Sequence, residues 1–247
     1  MLNKNHLKKS FGLFRRILAI ALVSGLIAAA SPKAGYAVKI DNGFTTVGPG
    51  WDGPGLGSAS LSYYFGDMSG DLSVASQKSA FRAALDVWAS VAALSFSETM
   101  LANQNNSIDI FFGEGDHGDG YPFTPGVLAH AFYPYPSPNP ETIAGDAHFN
   151  DLFPWEVGNG SGGSAFDLMW VAVHEFGHSL GLGHSDVFGA VMYPSVSPNA
   201  VFSGLHADDI AGIQSLYAAA VVPEPASLLL LGSGLLGMIA FTKQKLS

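Results

Sequence analysis

The chain of 247 residues contains no cysteine. No disulfide can brace it, so a folded domain must rely on core packing and on any metal it binds. Basic residues are scarce and unevenly placed: of 11, six precede residue 38 and two follow residue 222. Between those points three basic residues, Lys39, Lys78 and Arg82, stand against nineteen acidic ones, a net charge of −16. So acidic a surface repels nucleic acid and anionic membranes, which excludes a nucleic-acid partner, while it suits divalent cations and basic peptides. Internal repeats and charge blocks are also missing, and 48% hydrophobic content argues against disorder.

The two ends differ from the middle. Residues 1–37 carry Lys4, Lys8, Lys9, Arg15 and Arg16, an apolar run from Ile17 to Ala30, and small residues near Gly35-Tyr36-Ala37. This is the pattern of a secretory signal peptide, cut by signal peptidase near Ala37, with Ala30 the second choice. At the other end Val222-Pro223-Glu224-Pro225 precedes a mostly apolar stretch, Ala226 to Thr242, and then Lys243-Gln244-Lys245. As a helix that stretch would span roughly 26 Å, enough to engage a membrane at least transiently, with the lysines on the cytoplasmic side. The order Pro-Glu-Pro, apolar helix, basic end in residues 223–247 resembles the PEP-CTERM sorting signal of Gram-negative bacteria. That resemblance implies an exosortase-like enzyme as partner, and export to the envelope or extracellular matrix. A plain membrane anchor or a buried C-terminal helix is the alternative. What remains, residues 38–222, suffices for one domain with one core.

The densest chemistry lies in His174-Glu175-Phe176-Gly177-His178-Ser179-Leu180-Gly181-Leu182-Gly183-His184. Residues four apart on a helix share a face, so His174 and His178 can bind one ion. Gly181 can adopt a backbone conformation that other residues resist, letting the chain leave the helix and bring His184 round as third ligand, while Gly183 loosens the same turn. Three protein nitrogens leave the fourth position of tetrahedral zinc for water, the arrangement of catalytic sites, and Glu175 is then the candidate base. Eight residues past His184 comes Met192, within Val191-Met192-Tyr193-Pro194, whose polarizable thioether suits a packed floor beneath a metal.

Together these residues resemble the metzincin metallopeptidases, an extended zinc motif followed by a Met-turn. Ser185 after the third His, and Met-Tyr-Pro in the turn, resemble the matrixin branch. The resemblance runs from about Trp51 to Tyr217. It implies an α+β fold: a twisted mixed sheet of about five strands, three long helices and a cleft with zinc on its floor. It also implies strands over 61–65 and 108–112, and the local patterns agree, with apolar helical spacing in 77–92, a zinc helix over 165–180 and a closing helix over 206–217 begun by acidic residues. Only about twenty Gly- and Pro-rich residues separate position 38 from the first strand, so there is no room for an inhibitory propeptide, and Trp51 is the expected packing anchor.

The resemblance implies a second, structural zinc held by His117, Asp119, His130 and His148, a closed set of four N and O ligands that would pin loops. Calcium is left open: Thr124, then Asn150, Asp151, Leu152 and Phe153, stand where matrixins usually carry calcium-binding acids, and Ser107 stands where an acidic partner for Asp146 is common. The implied activity is a secreted zinc endopeptidase acting on protein or peptide substrates. An extended substrate would lie along an edge strand near Leu128–Phe132, with Val191, Tyr193 and Pro194 walling the specificity pocket. The competing reading is a metal-stabilised envelope or matrix module that binds without cutting.

Overall fold

The computed structural model describes the strand segments 25–29 and 37–39, and residues 43–221 apart from 135–138, 159, 161 and 199. The tail expected to meet a membrane lies outside these residues, and no helix among those described is long and apolar enough to cross one.

Five strands build the mixed sheet: β4 (Ala59–Phe65), β5 (Leu94–Glu98), β6 (Ser107–Gly113), β7 (Val127–Ala131) and β8 (Ala147–Asn150). Their order is β7-β8-β6-β4-β5, with β4, β5, β6 and β8 parallel and β7 antiparallel to β8. The alternation of β4, buried at Ala59, Leu61, Tyr63 and Phe65, is that of a strand with one face on the core. Near-complete burial of β6, β7 and β8 marks the sheet centre. Two further strands extend the sheet beyond β7: β1 (Gly25–Ala29), parallel to β7, and beyond it β12 (Ser195–Val196), antiparallel to β1. The edge expected to be open is therefore covered by residues from the N-terminal apolar run.

Helix α1 (Val74–Ala89) starts at Ser73, whose hydroxyl accepts from Ser76 N at 3.1 Å. Its apolar stripe of Phe81, Ala84, Leu85 and Trp88 packs on the sheet and on α2 (Leu168–Ser179). Phe81 is fully buried, 5.0 Å from the Phe149 ring of β8 and 6.2 Å from Phe176 of α2. The indole of Trp88 donates to Val173 O at 2.9 Å, locking one helix to the other. Helix α3 (Ala207–Leu216) closes the domain behind a capping box made by His206 and Asp209.

The segment before the sheet is more structured than its composition suggests. Strand β3 (Thr45–Val47) pairs with β2 (Ala37–Lys39) and with β11 (Leu182–Gly183), the stretch that leads into His184. Trp51 is an anchor as expected: its indole donates to Ser179 O at 2.8 Å and its backbone N to the Tyr217 hydroxyl at 3.0 Å. The short strand β9 (Trp155–Glu156) pairs with β10 (Phe166–Asp167), which occupies the first residues of the stretch read as zinc helix.

Candidate metal centres

Helix α2 begins where Asp167 caps it. One carboxylate oxygen accepts from Met169 N at 3.1 Å and Gly158 N at 2.9 Å, the other from Phe202 N at 3.0 Å. The helix start is thereby tied to two loops. Ten of its residues are buried, including His174, Glu175 and His178. It ends at Gly181, whose φ of 105° lies in the left-handed region, and there the backbone turns to send His184 back toward the helix. Gly183 plays a different part from the loosening expected of it. It pairs with Thr45, and a Cβ at Gly183 would collide with the Thr45 hydroxyl. That hydroxyl in turn donates to His184 O at 2.7 Å.

The three imidazoles converge. His174 and His178 have ring centroids 4.7 Å apart, and His184 lies 5.3 and 4.8 Å from them, with one ligand atom from each within 4.8 Å of the others. His174 Nδ1 meets Val191 O at 2.6 Å and His178 Nδ1 meets Leu182 O at 2.7 Å. Carbonyls only accept, so each Nδ1 carries the proton and each Nε2 presents a lone pair. Those two Nε2 atoms are buried and have no hydrogen-bond partner. Burial, then repulsion from His184, pulls His174 down to about 3, and burial likewise lowers His178, so both rings are neutral. Buried neutral imidazole nitrogens directed at one point are a ligand set for a dication.

Glu175 is also wholly buried, and both its carboxylate oxygens lack partners. Burial raises its pKa well above the ordinary carboxylate range. A cation at the three nitrogens would favour its charged form.

Met192 packs against the helix at Gly177, where a Cβ would collide with the thioether sulfur. The turn that carries Met192 is held by Asp209, whose carboxylate accepts from Val191 N at 2.9 Å, Met192 N at 3.0 Å and His206 N at 2.8 Å. Asp208 accepts from Ser185 Oγ at 2.6 Å and Phe44 N at 3.1 Å. Sequence reading gave the two aspartates only the role of an acidic helix start. Their reach to the Met-turn and to residue 44 depends on how α3 packs, and no local pattern reports it. Tyr193 and Pro194 follow, both half-buried, with Tyr193 edge-on to Phe188 at 5.6 Å.

The second cluster is built from loops and short strands. His117 Nε2, His130 Nε2 and His148 Nδ1 lie 3.1 to 3.3 Å apart, and Asp119 Oδ2 sits 2.8 Å from the His130 nitrogen and 2.9 Å from the other two. Four ligands about 2.0–2.1 Å from a tetrahedral zinc would be separated by about 3.3 Å, so these spacings suit a closed metal shell. Burial pulls His148 down to about 4 and lowers His130. Burial alone would raise Asp119, but hydrogen bonds from His130 and His148 hold it far below the usual carboxylate range. Phe123 stacks on His117 at 4.4 Å and Phe111 lies 4.0 Å from His148, keeping water off the rings. Asp146, which the sequence left open toward calcium, accepts Asp109 N at 2.8 Å, and burial raises it to about 8.

A family model described as Matrixin (Peptidase_M10) matches residues 56–218, and a PEP-CTERM protein-sorting motif matches residues 221–244. The chain is 45% identical over 161 residues to the hatching enzyme of Paracentrotus lividus, covering 64% of this chain and 25% of that protein. It is 38% identical over 179 residues to karilysin of Tannerella forsythia, covering 72% and 35%. It is 42% identical over 165 residues to the interstitial collagenase of Bos taurus, covering 65% and 32%. The chain thus spans about a third or less of the length of these relatives.

Proposed function

The chain belongs to the matrixin family, and from that premise we propose that it is an exported zinc endopeptidase that hydrolyses peptide bonds in protein substrates. The observation that carries this reading is Glu175, buried beside three convergent imidazoles with neither carboxylate oxygen engaged. A carboxylate is costly to bury, and metal holding does not require this one, which touches none of the ligand rings through a hydrogen bond.

His174, His178 and His184 would hold the catalytic zinc. When bound, that ion supplies Lewis acidity toward water and a peptide carbonyl. The chain's own residues do the rest. Val191 O and Leu182 O fix two imidazoles in the tautomer that offers Nε2, and Met192 packs against the helix that carries them. Glu175 takes a proton from the attacking water and later delivers it to the leaving amine, a cycle for which a carboxyl with a raised pKa is suited. His117, Asp119, His130 and His148 would hold a second, structural zinc with no position left for water.

Substrate would bind as an added strand in the slot between β7 and β12, with Val191, Tyr193 and Pro194 walling a side-chain pocket. Support for this mode is that the slot accommodates an extended segment of the chain itself, Gly25–Ala29. Residues 1–37 act as a secretory signal, and their removal near Ala37 frees the slot. The sorting motif directs the exported protein to an exosortase-like enzyme.

Glu175→Ala tests the assignment. It should keep stoichiometric zinc and lower casein or gelatin hydrolysis by about 10³-fold or more. Undiminished hydrolysis by the variant would remove Glu175 from its role.

A further inference from the structure

We propose that Thr45 is a positioning residue for the catalytic centre, its hydroxyl holding the peptide group that follows His184 so that the third imidazole stays on the metal. The inference rests on the reading of His174, His178 and His184 as metal ligands, and it adds a residue of the N-terminal segment to that site.

His174 and His178 take their direction from α2. His184 lies five residues past Ser179, the last of that helix, so its place depends on where the chain is led after Gly181. It is also the least buried of the three. Strand β11 carries the chain there and lies on β3, with Leu182 opposite Thr46 and Gly183 opposite Thr45. Val47 N donates to Gly181 O at 2.8 Å at one end of this pairing, and Thr45 Oγ1 donates to His184 O at 2.7 Å at the other. The N–H of the same peptide group, that of Ser185, donates to Met192 O at 2.8 Å. A peptide unit is planar, so holding its oxygen and its nitrogen fixes its orientation, and with it the direction in which the His184 side chain leaves the backbone.

The space around the hydroxyl fits this role. Gly183, unlike Gly181, does not have a left-handed φ, so backbone strain is not what calls for glycine there. A Cβ at that position would meet Thr45 Oγ1 before any other atom, so glycine leaves room for the hydroxyl beside the chain it holds. Strand β11 serves a second ligand as well, since Leu182 O meets His178 Nδ1 at 2.7 Å. A shift of β11 away from β3 would therefore disturb His178 and His184 together. Hydrogen bonds that orient metal ligands from outside commonly set metal affinity by about 10- to 100-fold.

Thr45→Val keeps the branched shape and removes the donor, while Thr45→Ser keeps the donor and removes the methyl. In chelator competition on the zinc-loaded protein, Thr45→Val should release the zinc of the helix cluster about tenfold more readily and leave that of the loop cluster in place, whereas Thr45→Ser should stay within about twofold of wild type. With cobalt(II) in the helix cluster, the visible absorption bands should shift in Thr45→Val and match wild type in Thr45→Ser. Wild-type affinity and spectrum in Thr45→Val overturn the proposal. Equal loss in both variants overturns it too, because the methyl would then be the cause. So does a Thr45→Val chain that releases both metals or fails to fold, because the contact would then support the domain and not one ligand. If the wild type takes up no metal at the three histidines, the metal-ligand reading fails instead, and hydrogen exchange of the metal-free protein decides whether the hydroxyl fixes that peptide group. The Ser185 N–H should exchange about tenfold faster in Thr45→Val than in wild type or Thr45→Ser, and equal rates would overturn the proposal.

Discussion

At the helix cluster, the Nε2 atoms of His174 and His178 face a shared centre without partners, whereas at the loop cluster Asp119 already touches all three of its imidazoles. The acid is placed differently in the two. Glu175 stands beside its histidines with both oxygens free to act, while Asp119 closes the set and is spent in doing so. Their supports differ as well. The first cluster is carried by one helix turn, a glycine reversal and a Met-turn tied to Asp209, and the second is gathered from loops and from β7 and β8. On the proposed reading, imidazoles would serve a reactive centre where a position is left open, and a structural staple where none is.

The sharpest way to break the comparison is to delete one ligand from each cluster. His184→Ala should abolish peptide hydrolysis, by about 10³-fold or more, and remove one zinc per chain by elemental analysis while the fold persists. Asp119→Ala should do the reverse. Three buried imidazoles would lose their anion and their closed shell, lowering stability by about 3–5 kcal/mol in thermal melts, with residual activity tracking only the folded fraction. Equal effects of the two variants on kcat would erase the distinction.

Acid should act on both clusters once zinc is chelated. Burial holds His148 at about 4 and His174 at about 3, below the ordinary 6.5, so the unfolded chain binds protons that the native one does not. Stability is then fully present above about pH 6.5 and is lost as pH falls through 4 toward 3. Melting the metal-free protein at pH 7, 5.5 and 4 should give a steadily falling Tm, and a flat profile would contradict the burial argument.

A smaller effect isolates the support of the first cluster. Asp209→Asn replaces one of two carboxylate oxygens that each accept from a Met-turn amide, and should weaken zinc retention about tenfold in a chelator titration while leaving the second zinc in place. Smallest of all, Ser73→Ala should cost about 1 kcal/mol through the cap of α1 and alter neither zinc stoichiometry nor kcat.

Much of this site was legible beforehand because its spacing is local. A four-residue interval on a helix and a glycine three residues later leave few arrangements for His174, His178 and His184. The helical period around Phe81 likewise placed α1 within a few residues, whereas the strands over 61–65 and 108–112 came with the resemblance and lie within β4 and β6. The loop cluster was legible only through resemblance, because His130 and His148 are brought together by sheet register across 18 residues and His117 joins them from a loop 31 residues before His148. Gly183 was misread for a related reason: the constraint on it is the approach of Thr45, 138 positions away in the chain.

Chain order alone therefore determined the ligand types, their helical face and the acid beside them, since those follow from covalent spacing and backbone geometry. Tertiary packing decided everything that required distant segments to meet. It lodged residues 25–29 against β7, set Asp209 under the Met-turn, and pressed Tyr133 against His178. Such contacts depend on how sheet and helices bury their shared apolar faces, and that sum over the whole core is written in no single stretch of residues.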